Sequence, residues 1–229
     1  MEIQILQQIE GAKRAKGTAV IIDVFRAFSL ECYLMAAGAS RILPVGAKET
    51  AYQMKEKNPE YLLVGERHGV ILPGFDYGNS PSRTKDADLC GKTIVHTTSA
   101  GTQGVANASG AEEILGGSLV NARAIARYLR EKNCPQVSLV CMGLEGKWES
   151  PEDTLCARYI KSLLEETELD MASELTALRL TSEGSKFFDP ETQSVFPQQD
   201  YWMCTDVDKF DFVLRVERRG ADLYETCAL

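Results

Sequence analysis

Short apolar runs rich in β-branched residues alternate along this chain with amphipathic stretches, and most of the runs end in a polar or glycine-bearing segment. Thr18-Ala19-Val20-Ile21-Ile22-Asp23-Val24 is continuously apolar up to Asp23, which predicts a strand covered on both faces with the carboxylate at its carboxyl end. Residues 26–38 then read as a helix stopped by glycine, 41–45 as a strand, 47–58 as a charged helix and 61–64 as a strand. A long loop through Asn79-Ser80-Pro81 leads to a strand over 92–97, a helix of small residues over 101–109 and a short strand at 113–115. Residues 121–132 read as a helix with Asn121 as its cap, before a buried strand over 137–141. Ser150-Pro151-Glu152-Asp153 supplies a cap, a first-turn proline and two early acids for a helix running to 168. Further helices are expected over 171–181 and 183–188, and a strand over 210–216. This alternation predicts an α/β fold, a three-layer α/β/α arrangement around a mostly parallel or mixed sheet.

The 229 residues contain no central linker, low-complexity block or long charge run. One domain over residues 1–229 is the default, with two tightly packed subdomains as the alternative. The balance of 25 basic against 33 acidic residues, a formal charge of −8, argues against a nucleic-acid partner held by phosphate neutralisation. A small anion remains compatible with that charge, because a few arginines and backbone amides suffice to hold a phosphate. Seven scattered cysteines without a C-x-x-C pair fit a reduced, intracellular protein. The amino-terminal segment has neither the basic start nor the long apolar stretch of a signal peptide, and no segment approaches the roughly 20 apolar residues of a membrane span. A cytoplasmic location without a membrane partner is therefore expected.

The candidate chemistry lies where strands end. Asp23-Val24-Phe25-Arg26 places a carboxylate at a strand end and a guanidinium at a helix start, a pairing able to hold a hard cation and an anion. The plainer role for the same pair is a helix cap and a surface cation. Gly65-Glu66-Arg67-His68-Gly69 and Thr97-Thr98-Ser99-Ala100-Gly101-Thr102-Gln103-Gly104 follow apolar runs, the place where open α/β sheets bind ligands. The hydroxyls and amides of the second stretch could surround phosphate oxygens, or make an ordinary turn and helix cap. No Walker or dinucleotide fingerprint is present. His68 and His96 are the two histidines, either able to move a proton or to serve as a hydrogen-bonded structural residue. Asn79 and Ser80 are possible donors, with Asp76 a ligand or loop brace. Glu152 and Asp153 complement a helix dipole, or turn inward to join Asp23 at a magnesium ion. Cys141 reads as a buried inert thiol.

Taken in order and spacing, Asp23-Val24-Phe25-Arg26-Ala27, Gly65-Glu66-Arg67, Gly74-Phe75-Asp76, Gly78-Asn79-Ser80-Pro81, Thr97-Thr98-Ser99-Ala100-Gly101-Thr102, Gly117-Ser118-Leu119-Val120-Asn121 and Glu152-Asp153 resemble the 2-phosphosulfolactate phosphatase family. These are magnesium-dependent acid phosphatases associated with coenzyme M biosynthesis. The match runs through about residue 170, and Ser99-Ala100-Gly101 stands where many relatives carry an Asn-Gly pair. The resemblance implies hydrolysis of 2-phospho-3-sulfolactate to 3-sulfolactate, with Mg²⁺ as cofactor and a small phosphorylated and sulfonated substrate. On that reading Asp23, Arg26 and Arg67 are the candidate catalytic residues, with His68 added from its own chemistry as a group able to move a proton. Substrate contacts would come from Arg26, Arg67, Asn79, Ser80, Thr97, Thr98, Ser99, Gly101 and Thr102, and metal contacts from Asp23, Glu152 and Asp153. Attack by metal-activated water and a phospho-aspartate at Asp23 both remain open, and trapping a phosphorylated Asp23 peptide during turnover would distinguish them. A phosphatase for another small phosphorylated hydroxy acid and a noncatalytic anion-binding domain are the competing readings. A symmetric homo-oligomer is the expected assembly.

Overall fold

A ten-stranded sheet organises the computed structural model, which describes residues 1–220 and 223–229. Its strands are β1 (Glu2–Gln7), β2 (Thr18–Ile22), β3 (Arg41–Pro44), β4 (Leu62–Arg67), β5 (Val70–Ile71), β6 (Thr93–Thr97), β7 (Glu113–Gly117), β8 (Gln136–Cys141), β9 (Leu214–Arg218) and β10 (Tyr224–Ala228). The helices begin with α1 (Gln8–Arg14), α2 (Ala27–Ala36), α3 (Lys48–Lys57), α4 (Pro81–Thr84) and α5 (Gly101–Asn107). They continue with α6 (Ala122–Glu131), α7 (Pro151–Glu165), α8 (Met171–Arg179), α9 (Ser182–Ser185) and α10 (Gln198–Cys204).

Two parallel blocks make up most of the sheet. In the first, β1, β8, β2 and β7 lie side by side; in the second, β3, β6 and β4 do. The β9–β10 hairpin runs antiparallel to both neighbours and joins them, so the sheet is mixed. Its contact with the second block is a single register pair, Thr226 with Ile42. The two blocks therefore run in opposite senses along the ladder, yet the carboxyl ends of β2 and β6 meet, the Gly101 N–H donating to Asp23 Oδ2 at 2.8 Å. A twist of about 20–25° per strand accumulates over the intervening strands and turns the second block toward the first.

Helices cover both faces, as the continuous apolar run of β2 requires. Val20 and Ile22 pack with Ile125, Leu129, Leu155 and Ile160 of α6 and α7. Ala19 and Ile21 pack with Ala12 and Val105 of α1 and α5. In the second block Ile94 meets Leu30 and Leu34 of α2, while Val95 meets Ala51 of α3. Although α5 follows β6, it docks on the first block: a Cβ at Gly104 would stand 2.6 Å from Ile21 Cγ2 and 2.5 Å from Met142 Sδ. This crossing carries the loop after β6 to Asp23.

The alternation along the sequence predicts most of these elements, with differences at the edges. Strand β4 runs to Arg67, because Glu66 and Arg67 pair with Ile71 and Val70 of β5; both residues are strand rather than loop. The terminal strands β1 and β10 and the helices α1 and α10 are not signalled, since each is short and partly exposed. The helix expected over 183–188 shrinks to Ser182–Ser185, and the strand over 210–216 shifts to Leu214–Arg218. Among the described residues no helix is long and apolar enough to cross a membrane.

The close approach at Gly104 sets a test of how α5 docks. Overpacking a core costs about 1–3 kcal/mol, more than the few tenths that valine gains in a helix over glycine. Gly104→Val is expected to lower the urea unfolding midpoint, and an unchanged midpoint would mean that α5 is not pressed against Ile21.

Candidate active site

Three acids are each clamped by backbone amides from loops that follow different strands. Asp23 Oδ1 accepts from the Ala27 N–H at 3.1 Å and Oδ2 from the Gly101 N–H at 2.8 Å. Asp153, in the first turn of α7, accepts from the Val24 and Gly143 N–H groups, both at 2.8 Å. Glu66 accepts from the Ser99 N–H at 2.7 Å, the Gly69 N–H at 2.6 Å and the Ser99 hydroxyl at 3.1 Å. Amide bonds to carboxylates are the stronger kind of hydrogen bond, so these contacts fix the ends of β2, β4, β6 and β8 to one another. Gly101 must lack a side chain here, because a Cβ would stand 2.9 Å from Asp23 Oδ2.

Burial sets the electrostatics of this cluster. It pushes Asp23 up to about 6, with the Glu66 carboxylate adding to the rise while the Ala27 and Gly101 amides and the His96 ring oppose it. Glu152 is likewise pushed up to about 7 by burial. Asp153 is raised first by burial and then by the charges of Glu152 and Asp23. Crowded, desolvated carboxylates resist ionisation unless a cation joins them. Glu152 Oε2 is buried without a hydrogen-bond partner. Among the described residues no three His, Cys, Asp or Glu side chains converge in a ready-made metal geometry. A Mg²⁺ ion suits such a site, because it takes oxygen ligands and fills its octahedron with water and substrate oxygens around one or two carboxylates.

The acids face a cavity of about 150 Å³ that also contains Arg26 and Lys186. Arg26 is almost fully buried, its Nη1 donating to Asp200 Oδ2 at 2.7 Å and to the Val195 carbonyl at 2.8 Å. Phe196 lies against the guanidinium at 5.0 Å. Nε and Nη2 have no acceptor among the described residues, which leaves that edge of the fork for an anion. Lys186 pairs with Glu183. Six carboxylates thus line the cavity against these two permanent cations.

Asp23, Arg26, His68, Asn79, Ser99, Glu152 and Asp153, all singled out in the sequence, line one cavity. His68 sits exposed at its rim against Glu145. Arg67 does not line it: its guanidinium donates to the Glu66 and Gly46 carbonyls and to Thr97 Oγ1 at 2.7, 2.9 and 3.0 Å, tying β4 to its neighbours. The expected hydroxyl cradle is also largely internal. Thr98 and Thr102 are buried and cap each other's amides at 2.9 and 3.2 Å. Thr97 serves Arg67 and the Gly46 carbonyl, and the Gly101 amide serves Asp23. Ser80 donates to Asp200 at 2.9 Å rather than to the cavity. Asp76 is a loop brace, accepting from the Leu63 N–H at 2.7 Å. Conversely, Lys186, Glu183, Phe196 and Asp200 come from the region after 170, where no motif pointed to a site. The one signal there is the aromatic run around Lys186, Phe187 and Phe188, of which Phe187 packs on Phe25 and on Phe196, the ring beside Arg26.

Known proteins resemble this chain over most of its length. A Bacillus subtilis (strain 168) protein described as a probable 2-phosphosulfolactate phosphatase is 31% identical over 204 residues, covering 88% of this chain and 87% of the relative. A Carboxydothermus hydrogenoformans protein with the same description is 41% identical over 167 residues, 72% of this chain and 68% of the relative. A third, from Caldanaerobacter subterraneus subsp. tengcongensis, is 32% identical over 211 residues, 86% and 87% of the two chains. The sequence profile described as 2-phosphosulpholactate phosphatase matches residues 3–219, so the chain belongs to the 2-phosphosulfolactate phosphatase family.

Proposed function

We propose that this protein is a magnesium-dependent phosphatase that hydrolyses 2-phospho-3-sulfolactate to 3-sulfolactate and inorganic phosphate. The observation that carries the reading is one cavity whose lining combines amide-clamped, desolvated acids with the free guanidinium edge of Arg26 and with Lys186. A substrate with phosphate, carboxylate and sulfonate groups needs cations at several points, and the chain's six lining carboxylates repel it unless a metal ion intervenes. One or two of Asp23, Glu152 and Asp153 would hold the ion, with water and substrate oxygens completing its shell, and Arg26 and Lys186 would hold the anionic groups. Bound there, Mg²⁺ supplies charge neutralisation at the transferring phosphoryl group. Arg26 is braced by Asp200 and Phe196, so its fork is oriented before substrate arrives, the preorganisation that lowers a barrier most.

A panel of phosphorylated sulfonates and carboxylates, assayed for phosphate release with Mg²⁺ or with EDTA, tests the assignment directly. Release from 2-phospho-3-sulfolactate that is abolished by EDTA and restored by Mg²⁺ is expected, and no metal-dependent release from it would refute the reading.

Asp153→Asn keeps acceptors for the Val24 and Gly143 amides only in part and removes the charge facing Asp23. It is expected to reduce kcat/KM by about 100-fold or more, as loss of a group acting on developing charge does, with circular dichroism unchanged. Near-wild-type turnover would exclude Asp153 from the site.

The raised acids also fix a pH signature. Asp23 and Glu152 favour their protonated forms in the fold, so the stability they contribute is complete below the ordinary carboxylate range. It is lost as pH rises through about 6 and then about 7. A cation that needs the ionised forms binds in the opposite sense. The rise in Tm produced by Mg²⁺ is therefore expected to be small below pH about 6 and large above about 7. Equal shifts at both ends would show that the ion does not bind these acids.

A further inference from the structure

A buried chain of polar side chains leads from helix α2 to the cavity wall. Glu31 Oε1 lies 2.8 Å from His96 Nδ1, and His96 Nε2 lies 3.1 Å from Asn79 Oδ1. Glu31 and His96 are fully buried and Asn79 is 6% exposed, with Asn79 alone of the three lining the cavity. Apolar residues of the same layer, Leu30, Leu34, Val64 and Ile94, are all completely buried. The proposed hydrolysis gives neither Glu31 nor His96 a task, and a buried polar pair of this kind is costly to keep without one.

Hydrogen-bond arithmetic assigns the Nε2 proton. Each ring nitrogen faces an oxygen; a hydrogen on Nε2 makes the Asn79 contact a hydrogen bond, and the Glu31 contact is one whether the shared proton sits on Nδ1 or on the carboxyl. In either case Nε2 carries hydrogen, and Glu31 and His96 Nδ1 share the remaining proton. Glu31 Oε2 has no partner of its own, so the ring is the carboxylate's compensating group.

The consequence falls on Asn79. With Oδ1 committed to His96 Nε2–H, the amide Nδ2 is left without an acceptor among the described residues, on a residue that lines the cavity. A ring lacking the Nε2 proton would take the amide the other way round, accepting from Nδ2 and turning Oδ1 to a cavity that already holds Asp23 and Glu66. An arriving anion would then meet a third acceptor in place of a donor.

We propose that Glu31 and His96 are positioning residues that lock the Asn79 amide with its N–H edge toward the cavity, making Asn79 a donor to the substrate's anionic groups. This rests on the reading of the cavity as the phosphate site.

The test uses the full chain and two readouts. The protein has two histidines, so nitrogen-15 spectra of the rings, assigned with His68→Gln, read His96 alone. His96 Nε2 is expected to carry hydrogen; a neutral ring bearing hydrogen on Nδ1 alone would overturn the proposal without any variant at this site. Calorimetry with orthophosphate in the presence of Mg²⁺ supplies the second. Asn79→Ala is expected to weaken binding about tenfold or more, as loss of a hydrogen bond to a charged group does.

The double variant Glu31→Leu with His96→Leu removes the buried pair together, a replacement that folds commonly tolerate. It is expected to weaken phosphate binding to a similar degree, although neither residue touches the ligand. Glu31→Leu with His96→Gln returns an N–H donor near the Nε2 position and is expected to recover most of the loss. Undiminished binding in the double leucine variant, or equal loss in the leucine and glutamine versions, refutes the positioning role while leaving the phosphatase reading intact. Absence of phosphate binding by the wild-type protein refutes both.

Discussion

The Asp23 carboxylate, held between the Ala27 amide on its own side and the Gly101 amide from across the fold, is the contact on which the site depends. It joins the two parallel blocks at the ends of β2 and β6, where their ladder directions alone would keep them apart. Such a contact requires a helix that leaves one block and packs on the other, and α5 meets that requirement through small residues. Gly104 lies against Ile21 and Met142, and Gly101 against Asp23 and Ala27. A bulkier helix face would hold the amide away from the acid.

Having been drawn together, the acids are in electrostatic tension. Asp23, Glu152 and Asp153 all hold their protons more tightly than free carboxyls do, chiefly through burial. Amide donors relieve part of this at Asp23 and Asp153, where each oxygen accepts an N–H. Glu152 has one oxygen without any such partner. The fold thus stores an uncompensated demand for positive charge at one end of the cavity. Arg26 shows the complementary arrangement, a buried cation neutralised on one side by Asp200 and open on the other. The clustered acids and the half-open arginine line the same cavity, as the proposed phosphatase reading requires.

The segment after residue 170 completes the wall. Asp200 is fully buried and accepts from Arg26, Ser80 and the Ser82 amide, so one side chain from α10 orders both the arginine and the loop bearing Asn79. Rings of Phe25, Phe187, Phe196 and Tyr201 pack around this junction. Aromatic packing of this kind contributes about 0.5–1.5 kcal/mol per pair beyond area burial and keeps water from the Arg26–Asp200 pair.

Local pattern determined the strands and helices of the sheet's centre, because a run such as residues 18–22 can be satisfied only between two covering layers. It also determined that acids and glycines stand at strand ends, and the order of motifs carried the family. Tertiary structure decided which of those residues face the cavity. Arg67, Thr97, Thr98, Thr102 and Ser80 have the right chemistry for an anion, yet neighbouring carbonyls, hydroxyls and Asp200 take their hydrogen bonds. Lys186, Phe196 and Asp200, far along the chain and without a motif, reach the site. Sequence specifies what a side chain can donate or accept; only the packed fold specifies which partner is within 3 Å, because that depends on how α5 and α10 cross between layers.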